Sequence, residues 1–201
     1  MSGTETKEKI LRVAEKLFAE KGFDGTSVDS IAKTAGVNKA LIYYHFKDKS
    51  SLVAALAEKI VAELDGYLRG VFENSMSQDS KASLKDKIEE EIAFMGEHRG
   101  ILSVLLMESL KASDNSRFLF QGAEYLIRCE LRSREGRSLE KLKQKQQYLV
   151  HEFFTGFIPV LVFVALRQKW CEYFQCDESA LLKHFIDAFE RTHLRNHPIP
   201  R

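Results

Sequence analysis

Two of the three prolines in this 201-residue chain stand at positions 198 and 200, so almost its whole length is free of the residue most hostile to a helix interior. That distribution favours an all-α fold, and the apolar pattern agrees with it. Between Thr4 and Lys21, Ile10, Leu11, Ala14, Leu17 and Phe18 recur at the three- and four-residue spacing of one helix face, and Gly22 supplies a stop. Thr26 and Asp29 stand in the Thr-x-x-Asp arrangement that caps a helix start. The short helix that follows turns Val28, Ile31, Ala32 and Ala35 inward and ends at Gly36. A third helix opens with Asn38 as N-cap and runs to about Tyr44 or His45. Asp48 caps a long fourth helix, whose stripe of Leu52, Val53, Leu56, Ile60, Leu64 and Leu68 continues to about Phe72.

Within this run Ala32, Gly36 and Ile42 form the pattern Ala-x3-Gly-x5-Ile across two short helices. A small residue lets the helices approach, glycine permits the tight turn, and isoleucine fills the wedge between them. Two helices crossing steeply in this way present the second one to the major groove of DNA. A generic helical hairpin satisfies the same three positions, so the neighbouring residues decide. The stretch from Phe23 to Leu52, FDGTSVDSIAKTAGVNKALIYYHFKDKSSL, closely resembles the DNA-binding domain of the TetR family. Its most specific portion is Gly36-Val37-Asn38-Lys39 followed by Ile42 through Lys49. Family members often carry Gly or Ser where this chain has Ala40 and Thr where it has Leu41. These departures fall on the recognition surface and bear on operator sequence rather than on fold.

The resemblance covers about the first third of the chain. It implies a helix-turn-helix DNA-binding domain over residues 4–64, then a larger helical domain over 65–201 that binds a ligand and dimerises. It further implies a transcriptional regulator, in the repressor sense, that holds a palindromic double-stranded operator as a homodimer and is released by a small-molecule effector.

Contacts to DNA divide into phosphate anchors and base readers. Thr26 and Ser27 stand at a helix N-terminus, whose free N–H groups suit a phosphate. By resemblance, Tyr43, His45 and Lys49 hold phosphates too. Asn38, Lys39, Ala40, Leu41 and Tyr44 lie on the face offered to the groove, with Lys39 suited to guanine O6 or N7 and Ala40 or Leu41 to a thymine methyl. Ile42 and Phe46 are expected to be buried.

Beyond the Ser- and Asp-rich segment 74–83, helices are expected near 84–97, 100–112, 116–135, 138–170 and 178–195, with Gly100, Ser113–Ser116, Glu135–Arg137 and Cys176–Asp177 as breaks. Candidate ligand-binding residues there are Phe94, Met107, Phe118, Tyr125 and Phe154 for an apolar molecule, with Glu108, Arg128 and His151 to orient it. Ordinary core packing accounts for the same aromatics. Helices containing Tyr148–Trp170 and Ser179–Leu194 carry more apolar surface than one intrachain contact uses, which suggests a dimer interface.

Other function classes find little support. The formal charge is only +1, so DNA binding rests on a local site rather than on bulk electrostatics. No nucleophile, base or orienting group stands in a catalytic motif, so an enzyme is not expected. Cys129, Cys171 and Cys176 form no CxxC pair and fit a reducing cytoplasm. The apolar run Phe153–Leu166 is 14 residues long, interrupted by Gly156 and Pro159, and reads as a buried helix too short for a bilayer. No cofactor and no metal are expected: of His184, His193 and His197, the last lies beside Pro198 in the tail.

Overall fold

The computed structural model describes residues 3–76, 84–111, 115–133 and 145–194, and every regular element among them is helical. The helices are α1 (Gly3–Lys21), α2 (Val28–Ala35), α3 (Lys39–His45), α4 (Lys49–Met76), α5 (Leu84–Glu97), α6 (Arg99–Ser109), α7 (Ser116–Ser133), α8 (Lys145–His151), α9 (Ile158–Phe174) and α10 (Glu178–Phe189). A π-helical turn, Glu152–Phe157, joins α8 to α9 without a break, and a second, Glu190–Leu194, extends α10. The expected break at Glu135–Arg137 and the start of a helix at 138–144 lie outside the described residues, as does His197.

Packing divides the chain into two compact units, and the division is not continuous in sequence. The first comprises Met1–Asp65 and His98–Gly122, the second Gly66–Glu97 and Ala123–Arg201. Residues 98–122 therefore pack with the N-terminal helices, although the sequence reading grouped them with the C-terminal domain. The reason is local: α6 lies along α1 so closely that a Cβ added to Gly100 would stand 2.6 Å from the Cβ of Ala19. The break expected at Gly100 falls at His98, and Gly100 in the first turn of α6 is the point of closest approach.

The core of the first unit gathers Ile10, Ala14, Leu17 and Phe18 of α1, Ile31 and Ala35 of α2, Ile42 of α3, and Leu52, Val53 and Leu56 of α4. Each fully buried Leu, Ile or Phe contributes roughly 1.5–3 kcal/mol of transfer free energy. This core fixes the angle at which α3 leaves the molecule. The turn between α2 and α3 closes on Gly36 at φ 61°, where Val37 N–H donates to the Ala32 carbonyl at 3.0 Å. The α2 cap sits one residue later than the sequence suggested. Ser27 is the N-cap: its hydroxyl accepts from Ser30 N–H at 3.0 Å, and Ser30 Oγ accepts from Ser27 N–H at 3.2 Å. Asp48 and Ser51 form the same reciprocal cap at α4.

In the second unit, α9 packs on α5 and α10, with Phe163 and Phe185 stacked at 4.0 Å between centroids. The helix expected near 138–170 runs through Gly156 and Pro159 without a break, and it is longer than the 14-residue apolar run alone suggested. Pro159 lacks the N–H that an α-helix would donate four residues back, and the π-helical turn immediately upstream absorbs the change of register. The resulting helix, Gln146–Phe174, has 29 residues, and an 18-residue window within it has a mean hydropathy of 2.0, enough by length and composition to cross a membrane. Val160, Leu161, Phe163 and Val164 are buried, but only 28% of the apolar window is buried within the chain, so the expected buried helix is buried along one side.

Candidate nucleic-acid interface

The seven residues of α3 separate cleanly into two faces. Ile42 is 1% exposed, and Phe46, which ends the helix, is 4% exposed; both anchor it in the core. The opposite face carries Lys39, Ala40, Tyr43 and Tyr44 in solvent, with Tyr44 80% exposed, while Leu41 and His45 are half-buried. Large aromatic rings held in water by a helix pinned from behind are surface available for a partner. Asn38 caps the helix, its Oδ1 accepting from Ala40 N–H at 2.9 Å, so this side chain is engaged in setting the start of α3.

Lys39 is also engaged. Its ammonium donates to Asp29 of α2 at 2.8 Å, and that hydrogen bond raises the lysine above its ordinary range. A cation held charged at the edge of the exposed face suits either a phosphate or a guanine edge, but Asp29 competes for it. Sequence reading placed Asp29 in a cap. Its pairing with Lys39, ten positions on, becomes visible only when α2 and α3 cross.

Two of the expected phosphate ligands point inward. Thr26 is 1% exposed, and its hydroxyl lies 3.0 Å from the Leu17 carbonyl and 2.9 Å from that of Gly22, both acceptors. It ties the end of α1 to the start of α2. Lys49 donates to the carbonyls of Phe23 at 2.6 Å and Thr26 at 3.0 Å, with its ammonium 4.1 Å from the centroid of the Phe23 ring. Ser27 keeps an exposed position, and the free N–H groups opening α2 lie beside it. Ser27, Asn38, Lys39, Ala40, Tyr43 and Tyr44 are thus the exposed members of the predicted set, and Thr26 and Lys49 brace the frame that carries them.

The ligand residues expected from sequence are dispersed. Met107 and Glu108 share a cleft of the first unit with Phe18, Phe23, Gly100 and Lys111. Glu108 is 2% exposed, accepts from Lys111 at 2.6 Å and from Asn115 at 3.3 Å, and so belongs to a structural network. Lys111 also pairs with Asp24 at 2.5 Å, fastening the end of α6 to the turn after α1. Phe118 is buried in the same unit, with the Arg117 guanidinium over its ring. In the second unit, Phe94 stacks on Tyr67 at 5.1 Å, and burial with Glu90 and Glu91 nearby pushes the Tyr67 phenol up to about 12. Tyr125 is half-buried, Arg128 pairs with Glu124 at 2.7 Å on the surface, and Phe154 is 62% exposed. His151 stacks on His193, and these two with Glu152 place their ligand atoms within 4.8 Å of one another, a grouping the sequence did not suggest.

Residues 10–56 match the profile of the bacterial regulatory proteins of the tetR family. Over 103 residues the chain is 34% identical to a probable HTH-type transcriptional regulator, YttP of Bacillus subtilis, covering 51% of this chain and 50% of that one. Over 46 residues it is 52% identical to the biofilm operon icaADBC HTH-type negative transcriptional regulator IcaR of Staphylococcus aureus, covering 23% of this chain and 25% of the relative. The matched stretch thus spans half or less of either relative. Among solved structures, a putative TetR-family transcriptional regulator from Mesorhizobium loti aligns with TM-score 0.66 and 18% identity over 95% of this chain and 98% of that one. The regulator FadR of Bacillus subtilis, in complex with stearoyl-CoA, aligns with TM-score 0.61 and 19% identity over 90% and 96%. These two likenesses concern fold.

Proposed function

The chain belongs to the TetR family of bacterial regulatory proteins, and from that premise we propose that it represses transcription by holding a roughly palindromic double-stranded operator as a homodimer, releasing it when a small, mostly apolar effector binds. The family is one of transcription regulators, so the chain is no enzyme. The observation that carries the proposal is the solvent face of α3, where Tyr43 and Tyr44 stand exposed behind a buried Ile42. A rigid helix offering aromatic, small and cationic groups fits the major groove, and the α2 N-terminus beside it fits a phosphate.

A second copy of the chain is supported by the apolar surface of the second unit. Leu166, Trp170, Tyr173 and Phe174 of α9 are each about half exposed or more. Phe154 is likewise exposed, and Leu181 and Leu182 of α10 are only partly covered. An apolar helix that one chain leaves uncovered is suited to a two-fold mate, which would set two α3 helices on successive major grooves. Effector control has thinner support: the half-buried aromatics Phe94 and Tyr125 in the second unit, and a neighbouring fold seen with an acyl-CoA. A regulator that acts on DNA in this way is expected to work in the cytoplasm.

Selection of bound duplexes from a random pool tests the reading. Recovery of an inverted repeat supports it, and recovery of no shared sequence would oppose it.

A further inference from the structure

We propose that His151, Glu152 and His193 form a binding site for a divalent transition-metal ion, with zinc as the natural candidate. The three side chains come from two elements that sequence separates by some forty positions: the junction of α8 with its π-helical turn, and the π-helical turn that ends α10. Their ligand atoms all lie within 4.8 Å of one another. Four ligands around a tetrahedral zinc at ~2.0–2.1 Å stand about 3.3 Å apart, so closing the group onto an ion requires movements of about an ångström. Both halves of the Glu152–His193 pair are buried, with side chains 6% and 7% exposed. Two imidazoles and one carboxylate are a donor set suited to zinc and its neighbours, and they leave one position open.

The backbone is shaped around this group. A Cβ on Gly156 would stand 2.8 Å from the His193 ring, so a glycine is what admits the imidazole between the two helices. Isolated π-helical turns inside α-helices occur frequently at functional sites, and here the two turns meet at the same place.

The hydrogen bonds select the tautomer a metal needs. Thr155 Oγ1 donates its single proton to the His151 carbonyl at 2.7 Å. Its oxygen, 2.9 Å from His193 Nδ1, is then left to accept, so Nδ1 carries the proton and Nε2 a lone pair. That Nε2 faces the Glu152 carboxylate at 3.7 Å, a gap too long for a hydrogen bond and suited to an ion placed between them. His151 lies nearly parallel to His193, at 18° and 4.8 Å between centroids, and turns out of this stack to complete the shell. With two neutral imidazoles and one carboxylate, the site carries one negative charge toward a doubly charged cation.

The test uses the full chain, freed of metal by chelation and dialysis, titrated with Co²⁺ and, separately, with Zn²⁺. The expected result is one equivalent of Co²⁺ per chain, a visible absorption band of four-coordinate cobalt that Zn²⁺ bleaches, and a rise in Tm with either ion, because the ligands converge only in the folded state. His193→Gln and His151→Gln are each expected to abolish the band, whereas His184→Gln, at an exposed histidine outside the group, retains it. If His193→Gln does not fold, His151→Gln at the half-buried position decides the point. A parent chain that shows neither band nor Tm shift overturns the proposal, and so does a band that survives His151→Gln.

Discussion

The ammonium of Lys49 donates to the carbonyl of Phe23 at 2.6 Å while lying 4.1 Å from the centroid of that residue's ring. One lysine thereby fastens the first turn of α4 to the loop between α1 and α2, on which the orientation of α3 depends. Lys49→Met is expected to lower the thermal midpoint of the N-terminal helices as well as weaken operator binding. A variant that unfolds at the parent temperature and loses only affinity would return Lys49 to the role of a plain phosphate anchor. Thermal unfolding followed by circular dichroism, beside an anisotropy titration, separates the two.

Thr26 makes the complementary case. Its hydroxyl bonds to Leu17 and Gly22 leave it nothing to offer a phosphate. Thr26→Val keeps the shape and removes the donor, at an expected cost of about 1–3 kcal/mol in urea unfolding. The folded variant is expected to bind operator as the parent does. A tenfold loss of affinity at unchanged stability would contradict this placement.

Asp29 restrains Lys39 at 2.8 Å and sets a negative charge beside the surface offered to DNA. The same hydrogen bond raises the lysine pKa, so Lys39 stays protonated throughout the neutral range, with or without DNA. Asp29→Asn is expected to tighten operator binding at low salt and to steepen the slope of log K against log salt by up to about 1. An unchanged slope would show that Lys39 does not reach the nucleic acid.

The α1–α4 frame was legible in sequence because its signals are local: apolar spacing in α1, Asn38 and Asp48 as caps, and Gly36 at a left-handed turn. What escaped was whatever depends on helices meeting. Glycine at position 100 marks the break before α6 to within two residues, but that its lack of a side chain serves contact with Ala19 is visible only when the helices meet. The helix expected near 138–170 does pass Pro159, but the π-helical turn that carries it through leaves no mark in the apolar spacing. The α2 cap is offset by one residue because Thr-x-x-Asp at 26–29 and Ser-x-x-Ser at 27–30 fit the same stretch, and only burial chooses between them. Nothing periodic joins His151 and Glu152 to His193.

The thiol of Cys171 is pushed up to about 11 by partial burial, by the Cys176 thiol 3.5 Å away and by the neighbouring carboxylates Glu178 and Asp177. Since the thiolate is the nucleophile, raising the pKa leaves less of it at neutral pH. Cys171 is therefore expected to alkylate with iodoacetamide far more slowly than an unperturbed cysteine, catching up only in strongly alkaline solution. Site-resolved mass spectrometry across a pH series checks this, and fast labelling of Cys171 near neutrality would contradict it.

That the exposed face of α3 reads DNA is tested by titrating the selected inverted repeat with the parent chain, Tyr43→Ala and Lys39→Ala at one fixed salt concentration. Tyr43→Ala is expected to weaken binding to specific and scrambled duplexes alike, whereas Lys39→Ala also changes the preference among operator variants. Parent-like affinity and preference in both variants, with their fold intact, would contradict it.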